Sequence, residues 1–165
     1  MTHTANFTDV SKQAAFMEAM GQLRFDWRDY IFGKLSSQQD KELMKALALA
    51  ADLITEEVAY ELLPALARFQ REPSTITLVA VLDGLVDSVY VLYQLSNTLK
   101  LPFDAAFREV HNSNMAKRGL DGKVTFRDDG KVLKPDGWTP PRLHALLLRE
   151  LTLQHSNNLE EDPTP

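Results

Sequence analysis

The stretch from Ile76 to Leu95 constrains the fold more than any other part of the chain, because it is long, apolar and interrupted by two acids. Its many β-branched residues favour a strand, but a single strand longer than about ten residues is unusual. We therefore predict a buried helix over Ser74 to Leu99. Asp83 and Asp87 lie one helical turn apart near its middle, and two carboxylates there argue against a membrane span.

The composition favours one globular domain without disulfides. The 165 residues are 44% hydrophobic and 25% charged, which are ordinary globular values. There is no cysteine, so disulfides, thiol nucleophiles and Cys-ligated zinc are excluded. The net charge of −5 disfavours nucleic-acid binding, and the first ten residues lack the features of a signal peptide. These features predict a cytoplasmic protein with no nucleic-acid or membrane partner.

Helical spacing and capping signals predict the remaining elements. Further helices are expected from Asp9 to Leu23 with Thr8 as N-cap, and from a Ser37–Asp40 capping box to a kink or stop at Pro64. Two more are expected, one from Asp104, as its cap, to Ala116 and one from Arg142 to about Gln154. The Asp129-Gly130 pair between alternating runs predicts a hairpin. The prediction is an all-α domain over 1–155 with four or five helices, a short hairpin or loop insertion near 119–137, and a disordered acidic tail over 156–165.

Two pairs of carboxylates follow helical spacing. Glu57 and Glu61 share one helix face, with Glu56 on its flank, and Asp83 and Asp87 share a face of the apolar helix. Bare charges in an apolar environment are costly, and a divalent cation between two antiparallel helices would compensate them. Carboxylate oxygens suit Mg²⁺ or Mn²⁺. The spacing therefore predicts a metal site.

The same charges also fit arrangements without a metal. The three glutamates are compatible with a solvated helix face, and the two aspartates are compatible with ion pairs to Arg68 and Arg71. Along the chain, residues 52–87 carry seven acids and two bases, whereas residues 115–135 carry six bases and three acids. This reversal is compatible with a metal site beside a phosphate site, and equally with a dipolar surface.

Four stretches carry a family resemblance: EEVAYELLPAL, VLDGLVDSVYVLY, FREVHNSNMAK and GKVLKPDGWTPP. Together they resemble the MazG-like branch of the all-α NTP pyrophosphatase superfamily and, more closely, phosphoribosyl-ATP pyrophosphohydrolase-like proteins, over about Phe7 to Leu147. The resemblance implies an all-α bundle that forms a homodimer or homotetramer. It implies Mg²⁺-dependent hydrolysis of a (deoxy)nucleoside triphosphate to the monophosphate and pyrophosphate.

Two further functions are compatible with the same resemblance. One is a phosphoribosyl-ATP pyrophosphohydrolase of histidine synthesis, and the second is a catalytically weakened helical interaction module. The argument for an interaction module is Ala80, which stands three residues before Asp83 where the family commonly has Glu. Tyr60 likewise stands where many members have Glu, and Glu61 follows it.

The resemblance also implies roles for individual residues. The metal ligands would be Glu57, Glu61, Asp83 and Asp87, and Glu56 or Glu57 would accept a proton from the attacking water. The triphosphate would be met by Lys117, Lys131 and Lys134, with Lys123 and Arg127 as second candidates. Asn112 and Asn114 would hydrogen-bond the base or sugar, although helix C-capping accounts for them equally well.

Overall fold

The architecture is that of a computed structural model, which describes residues 9–118 and 122–160. Its elements are α1 (Asp9–Ala19), α2 (Trp27–Ile31), α3 (Ser37–Thr55), a π-helical segment that we call the π turn (Glu56–Leu62), α4 (Leu63–Arg71), α5 (Thr75–Thr98), α6 (Phe103–Met115), a 3₁₀ turn (Ala116–Arg118) and α7 (Leu143–Glu160). Because α3, the π turn and α4 follow one another without a break, these elements amount to six helices, and the predicted all-α fold is confirmed.

The chain divides into two compact units, Met1–Leu101 and Pro102–Pro165, which we call the N-terminal and C-terminal units. This is a finer division than the single domain that the sequence predicts. The N-terminal unit contains α1 to α5, and the C-terminal unit contains α6, α7 and the segment between them.

The core of the N-terminal unit lies where α5 packs against α1 and α3. Met17 and Leu43 are fully buried there, and Val91 of α5 is nearly so. A buried polar contact joins the end of α5 to the middle of α1, since Asn97 Nδ2 donates to Gln13 Oε1 at 2.8 Å. Buried polar groups are usually hydrogen-bonded, and this contact helps to fix the position of α1 along α5.

The π turn is the least expected element of the fold. The sequence predicts that Pro64 kinks or stops the helix, but the helix continues to Arg71. The chain changes instead to π-helical hydrogen bonding just before the proline, and the Leu63 N–H donates to the Val58 carbonyl five residues earlier. A proline removes one donor and crowds the preceding turn, and a wider turn relieves that crowding without ending the helix. Such turns are frequent at functional sites.

Helix α5 has the predicted bounds but not the predicted burial. Ser74 caps it in a reciprocal arrangement with Thr77, one residue from the expected start. Its buried positions are mostly small or polar, including Gly84, Ser88 and Asn97, whereas large apolar side chains such as Val79 are exposed. The prediction of a buried helix is therefore wrong for this face. By length and composition, α5 is also apolar enough to cross a membrane.

Helix starts and ends differ from the sequence prediction at several points. Helix α1 ends at Ala19 rather than Leu23, because Gly21 adopts a positive φ of 65° just beyond it. The capping box of α3 uses Ser36 and Gln39, one residue before the predicted pair. The predicted cap Thr8 lies outside the described residues.

The aromatic segment before α3, whose sequence pattern indicates no particular structure, contains a short helix. Asp26 caps α2 by accepting from the Arg28 N–H, and it also accepts from the Arg28 guanidinium at 2.6 Å. The Phe25 and Trp27 N–H groups donate to the carbonyls of Thr98 and Leu99, which ties this segment to the end of α5. Phe25 and Trp27 are both buried, so these aromatics serve the core.

The C-terminal unit departs from its prediction in three places. Helix α6 starts at Phe103, so Asp104 lies inside its first turn instead of capping it. The predicted hairpin is reduced to one antiparallel bridge between Phe126 and Val132, closed by a turn at Gly130. Helix α7 continues through residues 156–160, where the sequence predicts a disordered tail, and 161–165 lie outside the described residues.

Candidate active site

The carboxylate-bearing elements meet where Leu62, at the end of the π turn, contacts Gly84 of α5. A Cβ atom added to Gly84 would lie 3.0 Å from Leu62 Cα and 3.1 Å from its backbone nitrogen. Only glycine allows so close an approach of the two backbones. Glu61 and Asp83 are the residues immediately before Leu62 and Gly84, so this contact sets the distance between the two acidic helix faces.

Five carboxylates lie on the two elements that make this contact, and we call them the carboxylate cluster: Glu56, Glu57, Glu61, Asp83 and Asp87. Glu57 is their centre. Burial, followed by the charges of Glu61 and Asp87, raises the pKa of the Glu57 carboxyl above its ordinary value, with smaller effects from Glu56 and Asp83. The other four predicted acids therefore lie within electrostatic reach of Glu57.

The π turn contributes to this arrangement. In a helix with i to i+5 hydrogen bonds the turn is wider than in an α-helix, so residues four apart lie closer to one line along the axis. Glu57 and Glu61 are such a pair, and both lie within the π turn. The sequence predicts that they share a face by α-helical spacing, and the π turn places them there by a different geometry.

The donor atoms fit a hard divalent cation. The Oε2 atom of Glu57 is buried and has no hydrogen-bond partner, although such atoms are rarely left unpaired. Carboxylate oxygens are the ligands that Mg²⁺ and Mn²⁺ prefer. Across residues 9–118 and 122–160, however, no three Asp, Glu or His side chains are already arranged to hold a metal ion. The cluster offers the right donors, and its side chains would have to turn to close around a cation.

Pairing with arginine does not account for the two aspartates. The Arg68 guanidinium lies 3.8 Å from Glu72 on its own helix end. Among the described residues, no ion pair involves Asp83 or Asp87. A solvated helix face accounts for Glu56 and Glu61, which are exposed, but not for Glu57, which is half-buried.

The predicted substrate-binding residues all lie in the C-terminal unit. Asn112 is exposed on α6 and lines a cavity of about 380 Å³ together with Glu109 and Thr139. Asn114 accepts a hydrogen bond from Lys117 Nζ at 2.7 Å, so its side chain positions a lysine. Neither the binding role nor the C-capping role predicted for these asparagines includes this contact.

The three predicted lysines do not share one environment. The ammonium groups of Lys134 and Lys117 lie 4.1 Å and 5.9 Å from the centre of the Trp138 ring. Lys131 sits instead in the exposed turn, where its backbone N–H donates to Asp129 Oδ1. The two lysines on the indole ring also line a cavity of about 420 Å³, to which Lys123 contributes and Lys131 does not.

Two contributors to this region are not indicated by sequence reasoning. In the sequence, Trp138 is notable only as part of the GKVLKPDGWTPP stretch. In the structure its indole N–H donates to the Ser113 carbonyl at 2.8 Å, and its ring makes cation–π contacts with the ammonium groups of Lys117 and Lys134. Glu109 accepts from the backbone N–H of Arg142 at 3.0 Å, which joins α6 to the start of α7, and this bond lowers the pKa of the Glu109 carboxyl. The isolated tryptophan near several lysines is a sequence signal for Trp138, and no comparable signal points to Glu109.

The all-α fold, with an acidic π turn packed on a second acidic helix, is consistent with the fold of the all-α NTP pyrophosphatases. Residues 33–114 match a family model described as phosphoribosyl-ATP pyrophosphohydrolase. The match confirms the resemblance to this family over just under half of the chain, and it indicates a hydrolase of phosphoanhydride bonds. No curated protein matches the chain in a sequence search.

The matched range separates the two groups of candidate residues. It contains the whole carboxylate cluster, together with Asn112 and Asn114. It ends before Lys117, so the lysine-rich segment, residues 117–134, lies outside the part of the chain that matches the family model.

Proposed function

We propose that the protein is a Mg²⁺-dependent pyrophosphohydrolase that cleaves an α–β phosphoanhydride bond to give a monophosphate and pyrophosphate. The observation that carries the proposal is the carboxylate cluster, with the half-buried Glu57 at its centre and an unpaired Glu57 oxygen. This cluster lies wholly within the range that matches a pyrophosphohydrolase family. Mn²⁺ is expected to support the reaction in place of Mg²⁺.

The cluster accounts for the chemistry that such a reaction needs. Glu57, Glu61, Asp83 and Asp87 would hold the cation, which when bound neutralises phosphate oxygens and activates a water. Glu56 or Glu57 would accept the proton of the attacking water. Burial and neighbouring charges raise the pKa of Glu57, and a carboxylate with a raised pKa is a stronger general base.

Phosphoribosyl-ATP is the first substrate that we propose, because the matching family is described by that activity. A (deoxy)nucleoside triphosphate is the second. It is favoured by the position of the lysine-rich segment, which follows the matched range and would supply contacts that the family model does not include. Both substrates carry the same α–β phosphoanhydride, so the carboxylate cluster would act identically on either.

The experiment is a measurement of pyrophosphate release from phosphoribosyl-ATP and from the ribo- and deoxyribonucleoside triphosphates, with Mg²⁺, with Mn²⁺ and with EDTA. We expect cation-dependent release that is largest for one of the two substrate classes. If neither cation supports pyrophosphate release from any of these substrates, the proposal is contradicted. A helical interaction module is then favoured, as Ala80 in place of the family's common Glu suggests.

We further propose that the chain forms a homodimer or homotetramer through the exposed face of α5. Large apolar side chains on this helix are left in contact with solvent: Ile76, Leu78, Val79, Leu82, Leu85, Val86, Val89, Tyr90 and Leu92. Contiguous apolar surface of this kind is rare on soluble monomers. A second copy would cover it with an identical apolar face, as a two-fold interface requires.

Light scattering after size exclusion at micromolar concentration tests this interface. We expect a mass of two or four chains, and we expect Val79→Lys to reduce it because Val79 is 59% exposed on this face. Leu49→Lys is the matched control, since Leu49 is 52% exposed on α3 rather than on α5. A wild-type chain that is monomeric, or that co-sediments with lipid vesicles, would overturn the interface. We also propose that the protein is soluble and cytoplasmic.

A further inference from the structure

The C-terminal unit contains a concave, positively charged pocket, which we call the lysine pocket. It has a volume of about 420 Å³ and is lined by Lys117, Lys123, Thr125, Leu133, Lys134, Pro135 and Asp136. Three lysines and one aspartate therefore line a single cavity. Like charges gathered in one concavity repel one another and concentrate a field that attracts anions.

The pocket is held in shape before any ligand arrives. Trp138 supports two of its ammonium groups by cation–π contacts, which are favourable within about 6 Å of the ring centre. The indole is itself fixed to α6, because its N–H donates to the Ser113 carbonyl, and the Ser113 hydroxyl donates to the Thr139 carbonyl at 3.0 Å. These contacts orient the lysines at little further entropic cost on binding.

Two lysines of the pocket keep their charge available. Lys117 donates to the neutral amide oxygen of Asn114 at 2.7 Å. Among the described residues, neither Lys117 nor Lys134 forms an ion pair with a carboxylate. A neutral hydrogen-bond acceptor and an aromatic face position an ammonium group without neutralising it, so the positive field of the pocket persists.

We propose that the lysine pocket binds a diphosphate group, with Lys117, Lys123 and Lys134 as its ammonium donors and the Thr125 hydroxyl as a further donor. Lysine is a compact point charge and a frequent phosphate ligand, and a diphosphate is small enough for a cavity of this size. Lys131, on the exposed turn, is not part of this site. The choice of pyrophosphate as ligand rests on the proposed function, whereas the pocket itself is formed within the C-terminal unit.

Trp138 provides the signal for the test. Its indole lies under two of the ammonium groups that would turn toward the ligand, so binding is expected to change its fluorescence. The chain has two tryptophans, and Trp27 belongs to the N-terminal unit. Trp138→Phe identifies the source of the signal, and calorimetry on the same titration measures binding independently of it.

Inorganic pyrophosphate is titrated into the full chain in EDTA, with potassium chloride at equal ionic strength as the salt control. We expect saturable binding that Lys123→Gln or Lys134→Gln weakens about tenfold or more, because a hydrogen bond to a charged group contributes about that factor. Lys41→Gln, a matched charge change at an exposed position of α3, should leave binding unchanged.

Three results would overturn the site: no saturable binding, equal weakening by Lys41→Gln, or Lys131→Gln weakening binding more than Lys123→Gln. The proposed function fails separately. Asp83→Asn should lower hydrolysis about 10²-fold or more and leave pyrophosphate binding in EDTA unchanged. A wild-type chain that binds pyrophosphate but hydrolyses no nucleotide would retain the pocket and lose the proposed activity.

Discussion

The carboxylate cluster and the lysine pocket concentrate opposite charges by different means. The acids lie on regular helical elements more than twenty residues apart in sequence, and the packing of Leu62 against Gly84 brings them together. The lysines lie within one short segment, where a turn and side-chain contacts with Trp138 gather them. The first arrangement therefore depends on tertiary packing, and the second depends mainly on local structure.

The carboxylate cluster and the lysine pocket should respond differently to mutation. A substitution at the helix contact should disturb the geometry of the carboxylate cluster from a distance, because two rigid elements would shift. A substitution in the lysine pocket should remove only the contact that it deletes. Variants of the two regions should therefore differ both in the size and in the kind of their effects.

Asp83→Asn should lower kcat by about 10² or more, since removing one electrostatic contact to charge that develops in the transition state costs about that factor. Glu57→Gln should have an effect of similar size. The measurement is steady-state hydrolysis with Mg²⁺, together with circular dichroism to establish that the helices remain. Glu72→Gln, an exposed acid paired with Arg68, is the control.

Full activity of Asp83→Asn would remove that residue from the metal site and direct attention to Asp87. Loss of activity in Glu72→Gln to the same degree would indicate a general effect of negative charge, and the contrast between the two regions would lose its basis.

Gly84→Ala should lower the free energy of unfolding by up to about 2 kcal/mol, because overpacking costs about 1–3 kcal/mol and alanine recovers about 1 kcal/mol in a helix. The added methyl would meet the Leu62 backbone, which has no free rotamer with which to move away. Chemical denaturation measures the change, and activity should fall with it because Asp83 adjoins the contact.

Ala80→Gly is the matched control for Gly84→Ala. It makes the reverse substitution one turn earlier on α5, at an exposed position, and should cost only the propensity difference of about 1 kcal/mol. If Gly84→Ala stabilised the protein by the amount that Ala80→Gly destabilises it, the close approach of α5 and the π turn would be refuted.

Lys134→Ala should raise KM about tenfold and leave kcat nearly unchanged, because a phosphate contact made equally in the ground state and the transition state contributes only uniform binding. The sequence predicts the same result for Lys131→Ala. The structure separates the two, and we expect a smaller effect at Lys131, which lies outside the lysine pocket. An equal rise in KM for both variants would favour the sequence-based assignment.

Glu57→Gln should stabilise the metal-free protein at neutral pH. Burial and the neighbouring carboxylates raise the pKa of Glu57, so the folded state holds this proton more tightly than the unfolded state. The stabilising contribution is therefore complete below the ordinary value of 4.5 and is lost as the pH rises through the higher folded value. Replacing the carboxyl by an amide removes that loss.

Thermal unfolding in EDTA across the pH range measures this effect. The advantage of Glu57→Gln over wild type should be greatest near neutral pH and should vanish in acid, whereas Glu72→Gln should give no such profile. An advantage that grew toward acid pH would reverse the sign and contradict the burial of Glu57.

The helices are predictable because their signals are local. Ser74 begins α5 within one residue of its expected position, and the spacing of Glu57 and Glu61 and of Asp83 and Asp87 indicates the two acidic faces correctly. The capping box of α3 is displaced by one residue because Ser36 and Ser37 are equally good caps by composition. Lys123, which the sequence offers only as a second candidate, lines the lysine pocket, and the first candidate Lys131 does not. An irregular segment has no periodicity to indicate which of its lysines share a face.

The order of residues along the chain is enough to establish that it is helical, where its main helices begin, and which acids share a helix face, since hydrogen bonding and side-chain spacing within a helix depend on neighbouring residues. Which side of α5 is buried follows from packing alone, because a helix that is apolar nearly all round carries no directional pattern. Gly84 and Ser88 face inward there because small residues allow the backbones to approach. The π turn before Pro64 and the two ammonium groups on Trp138 likewise arise from contacts between residues that the sequence does not place together.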